Sequence, residues 1–169
     1  MTVSTSDLLA DAFVRISDTV RAVVSDLTAE ELALRPGGHG NSIAWLIWHL
    51  TRVQDDHVAG VAHTEQVWTS EGWVEHFGLP LEPGATGYGH SSDEVAAVRV
   101  ESGGLLVDYH DAVHAQTERY LTTIDADDLD RVIDEAWDPP VTLGVRLMSV
   151  IGDDLQHVGQ AAYARGLLR

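Results

Sequence analysis

Eight consecutive residues, Ile43-Ala44-Trp45-Leu46-Ile47-Trp48-His49-Leu50, are apolar except for His49. Asn41 or Ser42 stands where a helix N-cap belongs, and the helix is predicted to run to about Val58. A helix that is apolar all round for its first two turns cannot lie on a surface, so other helices must enclose it. That requirement selects a helical bundle before the rest of the chain is read.

Three further stretches supply the partners. Ser4-Thr5-Ser6-Asp7 offers several N-caps, after which Leu9, Phe13, Ile16, Val20, Val23 and Leu27 recur at helical spacing, predicting a helix to about Asp26. After Ser102-Gly103-Gly104, a third long helix takes Leu105, Leu106, Tyr109, Val113, Tyr120 and Ile124 as its buried stripe. Thr142 caps a fourth, running to about Ala164 and closing at Arg165-Gly166, where glycine suits a C-terminal cap. Short helices are expected after the capping box Thr28-Ala29-Glu30-Glu31 and from Ser92-Asp93-Glu94 through Val98. Asp125 to Pro140 reads as acidic and irregular, with a short extended piece at Val132-Ile133.

Residues 60–90 sustain no period and are rich in glycine and proline, with Trp68, Trp73, Phe77 and Tyr88 between them. A stretch this long packs down or serves a function. It is expected to be a crossover with short helical turns, roofing a pocket. The fold class that follows is all-α: one domain over 1–169, a four-helix bundle with a long crossover between the second and third long helices.

The chain has no cysteine, which excludes disulfides, zinc-thiolate sites and a cysteine nucleophile. It has no lysine either; ten arginines face 27 acidic residues, for a net charge of −17. Such a surface repels phosphate backbones and anionic membranes, so neither nucleic acid nor membrane is expected as a partner. With no basic region or apolar signal core at its start, the protein is expected to be cytoplasmic.

The chemistry points to metal. Asp153 and His157 lie four apart on the last helix and can grip one ion together. His49, arriving from another helix, would complete a three-ligand site with open positions for water or substrate. Asp154 lies nearer the centre of the apolar stripe and could replace Asp153. Each half has an ordinary reading as well: a lone histidine on an apolar helix is often a hydrogen-bonded core residue. His110 and His114 form a His-x-x-x-His pair, but both fall off the third helix's stripe and are expected to face solvent. Asp56 shares the face of His49 about 10 Å along the axis, too far for one ion; Asp56 and His57 could line the same cavity. Gln160 could support a ligand, Arg146 could receive an anion or pair with a carboxylate, and His90 or His57 could act as acid or base. Trp68 and Trp73 are expected to pack.

Two motifs in this order resemble those of DinB-like proteins. Arg35-Pro36-Gly37-Gly38, then Asn41 through Leu50, is similar to the family's second-helix signature, and Asp153 … His157-Val158-Gly159-Gln160 to its last-helix signature. The resemblance implies a divalent metal, zinc or nickel first, held by three histidines; His49 and His157 match two of them, and Asp153 stands at the third. A carboxylate there also admits manganese or iron. Relatives that use mycothiol or bacillithiol imply a small-molecule substrate, an external low-molecular-weight thiol, S-transfer or else hydrolysis, and a homodimer. The competing expectation is a non-catalytic bundle that binds a small molecule or dimerises, with structural histidines.

Overall fold

The four stripes form the four long helices of a bundle. In the computed structural model, which describes residues 3–168, these are α1 (Thr5–Val24), α3 (Ile43–Ala62), α7 (Gly103–Leu121) and α8 (Leu143–Gly166). Between them lie α2 (Ala29–Ala33), α4 (Val67–Ser70), α5 (Trp73–Phe77) and α6 (Ser92–Ala97). A two-stranded antiparallel pair, β1 (Val132–Asp134) and β2 (Val141–Thr142), precedes α8.

Local chemistry sets the helix starts. Ser4 and Asp7 form a capping box on α1, with Ser4 N–H donating to the Asp7 carboxylate at 2.9 Å and Asp7 N–H to Ser4 Oγ at 3.1 Å. Thr28 with Glu31 and Ser91 with Glu94 repeat the device on α2 and α6. Ser42, rather than Asn41, caps α3, and Thr142 caps α8.

Side-chain contacts give the helix directions. Arg21 meets Asp111 at 2.6 Å and Ser6 Oγ donates to the Ile124 carbonyl, so α1 and α7 run antiparallel. Arg52 meets Tyr109, Gln54 meets Thr117 and Thr64 meets Gln116, so α3 and α7 run parallel. His49 meets His157 and His57 meets Arg146, which makes α3 and α8 antiparallel. Parallel neighbours cannot be joined by a tight turn: the chain must return the length of α7, about 28 Å at 1.5 Å per residue. Residues 63–102 make that return.

The core is the apolar stripe of each long helix: Phe13, Ile16 and Val20 from α1, Ile43 to Leu50 from α3, Leu106, Tyr109 and Val113 from α7, and Leu143, Leu147 and Val150 from α8. Three expectations need correction. Helix α1 stops at Val24, because Ser25 is extended and Asp26 has φ 58°. Helix α3 continues past Val58 to Ala62, where His63 takes a left-handed cap. Ile124 lies beyond the end of α7.

The largest correction concerns His110, which is 0 % exposed rather than solvated. Helix α7 packs on both α1 and α3, so its buried arc is wider than one stripe and includes His110 and Thr117. Thr51 Oγ1 sits 3.1 Å from His110 Nδ1. His114 is only half-buried, 3.5 Å from Glu118.

Candidate metal centre

Helices α3 and α8 bring His49, Asp153 and His157 together. One ligand-capable atom from each lies within 4.8 Å of the others, the only such group of three or more among the described residues. His49 is 3 % exposed, and its ring centroid is 4.7 Å from that of His157. Asp154 turns the other way, fully buried in the bundle with neither carboxylate oxygen partnered. Burial, then the charge of Asp153, pushes its pKa far up, so it is a neutral acid in the core.

Both imidazoles are oriented through Nδ1. His49 Nδ1–H donates to the Thr86 carbonyl at 2.5 Å, and His157 Nδ1–H donates to the Asp153 carbonyl at 2.9 Å, with Asp153 Oδ2 at 3.2 Å. Each bond fixes the tautomer and leaves Nε2 with a free lone pair. Burial lowers the His49 pKa and holds the ring neutral, as a ligand must be, although the Thr86 carbonyl and the Asp153 charge oppose it. Burial also pulls His157 down, but the hydrogen bonds and charge of Asp153 outweigh it and raise the pKa overall. Asp153 Oδ2 is buried without a hydrogen bond of acceptable geometry. Two imidazole nitrogens and an unsatisfied carboxylate oxygen are a donor set suited to a divalent cation.

The crossover covers this group. Trp45 stacks on His49 at 4.5 Å and 19°, and the Tyr88 ring meets His49 edge-on at 5.2 Å. Burial, then the carboxylates of Asp153 and Asp56, raises the Tyr88 pKa, so its hydroxyl stays protonated. Gly87 runs at φ +103° against the His49 ring.

Two buried charges, absent from the sequence reading, hold the crossover down. Asp55 accepts from the backbone N–H of Val67 at 2.9 Å, of Trp68 at 2.8 Å, and from Tyr109 Oη at 2.9 Å. Arg52, 3.5 Å from Asp55, donates to Gln66 and, through Nε, to the Ala85 carbonyl one residue before Thr86. Trp68 packs beneath this guanidinium, 4.9 Å from its ring centroid, and donates to the Pro83 carbonyl. The signal was present: Arg52 and Asp55 follow His49 at three-residue steps in a helix that is buried nearly all round.

The remaining candidates lie outside the three-residue group. His90 is held by Trp45, whose Nε1–H donates to its Nδ1 at 3.2 Å, and it stacks on Trp48. Gln160 is exposed and lines a separate groove with Leu46 and Tyr163. His57, whose Nδ1 is 3.0 Å from Arg146 Nη1, is pushed down by burial and then by that guanidinium. Arg146 also reaches Asp134 at 3.5 Å. Both border a pocket of about 530 Å³ that Asp56 also lines.

Residues 8–169 match the family model described as Mycothiol-S-transferase. Among solved structures, the chain is similar to one described as the conserved protein of locus from Enterococcus faecalis, at 34 % identity and a TM-score of 0.91, covering 97 % of this chain and 96 % of that one. No curated protein matches it. Among the described residues, no helix is long and apolar enough to cross a membrane.

Proposed function

Because the chain belongs to the mycothiol S-transferase family of DinB-like proteins, we propose that it is a metal-dependent enzyme transferring an external low-molecular-weight thiol to a small electrophile. His49 Nε2, the Asp153 carboxylate and His157 Nε2 hold the ion, zinc or nickel before manganese or iron. The observation that carries this reading is the convergence of three ligand atoms within 4.8 Å from residues a hundred positions apart.

A divalent cation in such a site supplies Lewis acidity, which keeps a thiol in its nucleophilic thiolate form at neutral pH. The chain's own residues do the rest. The Thr86 and Asp153 carbonyls aim the two imidazoles. Trp45 and the crossover shield His49 from water, and three protein ligands leave positions open for sulfur. The thiol must come from outside because the chain has no cysteine. Water could be activated in the same position; family membership favours the thiol.

Elemental analysis of untagged protein tests the reading. One equivalent of metal is expected, falling below a tenth in His49→Ala and His157→Ala and sharply in Asp153→Asn. Sub-stoichiometric metal in the unaltered protein, or unchanged occupancy in the variants, would support the non-catalytic bundle with structural histidines.

A further inference from the structure

Three of the long helices bury polar side chains in a layer that the His49–Asp153–His157 group does not use. His110 and Thr117 come from α7, Thr51 and Gln54 from α3 and Ser17 from α1, and none is more than 1 % exposed. His114, one turn beyond His110, closes the layer on its outer side, with 12 % of its side chain in solvent. The Arg21–Asp111 and Ser6–Ile124 contacts between α1 and α7 bring Ser17 level with His114.

Hydroxyl hydrogens fix the orientation of this layer. Thr51 Oγ1 donates to the Ile47 carbonyl at 2.8 Å, so towards His110 it can only accept; His110 Nδ1 carries the ring hydrogen and Nε2 a lone pair. Thr117 Oγ1 likewise donates to the Val113 carbonyl, so it accepts from Gln54 Nε2 at 2.8 Å and Gln54 Oε1 turns away. His114 Nε2 lies 3.5 Å from the Glu118 carboxylate, which draws the ring hydrogen there and leaves a lone pair on Nδ1. His110 Nε2, His114 Nδ1, Gln54 Oε1 and Ser17 Oγ are all buried without a hydrogen-bond partner. Three of the four are acceptors, and the serine has one hydrogen to offer. Buried acceptors in such surplus call for a cation or a donor.

Geometry and charge narrow the choice. The His110 and His114 ring centroids are 6.3 Å apart, with planes within 11°. Two imidazoles sharing one ion through bonds of ~2.0–2.1 Å have centroids about 5 Å apart at a tetrahedral angle and about 6.4 Å apart in a line. The observed spacing is at the linear end. The nearest carboxylates, Asp111 and Glu118, keep 41 % and 51 % of their side chains in solvent. A divalent ion here would be buried with its charge uncompensated, and the cost of burying charge rises as its square. A monovalent ion that accepts two neutral nitrogens in a line meets both constraints, and imidazole suits copper.

We propose that His110 Nε2 and His114 Nδ1, backed by Gln54 and Ser17, form a second metal site that binds copper(I). Thr51 and Glu118 orient its two imidazoles, and the partly exposed His114 gives the ion a way in. The site shares no residue with the His49–Asp153–His157 group and does not depend on the thiol-transfer reading.

Anaerobic copper(I) titration in competition with bicinchoninate tests this on His49→Ala protein, in which the first centre is disabled. One equivalent is expected to be held against the chelator. Adding His110→Gln or His114→Ala is expected to weaken it at least tenfold; His114→Ala alters only the partly exposed ring and serves if His110→Gln does not fold. Silver(I), a probe with the same linear preference, should shift the imidazole nitrogen resonances of His110 and His114 and leave those of His157 in place. No tightly held equivalent in His49→Ala, affinity unchanged by His114→Ala, or a silver shift confined to other histidines overturns the site.

Discussion

At Gly87 the backbone takes φ +103°, and a Cβ there would run into the His49 ring, with Cγ at 3.0 Å, and lie 3.2 Å from Trp45 Cζ2. Only glycine lets the crossover lie flat on the imidazole while the preceding carbonyl of Thr86 takes its Nδ1–H. Gly87→Ala is therefore expected to cost about 1–3 kcal/mol in urea unfolding and to weaken zinc retention at least tenfold in a chelator competition. Unchanged retention would show that the loop's approach to His49 is not what orients the ring. His110 makes a different prediction. Burial, followed by the charges of His114 and Arg21, lowers its pKa to about 3 in the fold, against ~6.5 when unfolded. The folded state keeps it neutral, so the unfolded state binds the extra proton. Stability is thus complete above pH 6.5 and falls as pH drops toward 3, by up to ~1.4 kcal/mol per unit. The buried Asp154, raised instead, acts in the opposite direction, so the test is a difference. Unfolding free energies between pH 7 and 4.5 should fall more steeply for the unaltered protein than for His110→Gln; parallel curves would refute the assignment.

Helix α3 joins bundle to roof. Its first turns bury Ile43, Ile47 and Leu50 in the core, while His49, Arg52 and Asp55 hold the crossover at three-residue steps. Asp55 is buried, and burial raises its pKa against the hydrogen bonds from Trp68, Val67 and Tyr109. Removing that carboxylate leaves the Arg52 guanidinium without its counter-charge and two backbone N–H groups without an acceptor. Asp55→Ala is expected to cost about 3–5 kcal/mol by chemical denaturation, and to expose residues 67–90 to proteolysis before the bundle itself. Cleavage spread evenly over the chain would argue that the crossover is not a separately anchored unit. The four long helices were legible because each carries a continuous apolar stripe and a capping residue. The anchoring of the crossover was not, since it depends on which polar side chains of α3 face other segments, and periodicity places polar residues outward by default. The same default put His110 in solvent.

A chain of net charge −17 and ten arginines repels itself as well as other polyanions. Added salt should screen this, so the melting temperature is expected to rise by several degrees between 10 mM and 0.3 M sodium chloride at pH 7.5, measured by calorimetry. A flat or falling response would mean that specific ion pairs, such as Arg21–Asp111, outweigh the general repulsion. At this scale the parallel run of α3 and α7 explains the long crossover, and the crossover in turn covers His49. What sequence determined was local: helix starts set by Ser4, Thr28, Ser42 and Thr142, the all-α class, and the residue types able to bind metal. Those properties are fixed within one or two turns, where backbone hydrogen bonds and side-chain spacing decide them. Tertiary structure alone decided that Asp153 faces His49 while Asp154 points into the core. The two carboxylates are neighbours in sequence but about 100° apart around the helix. Only the packing of α8 against α3 on one flank and α1 on the other selects which of them meets the histidines.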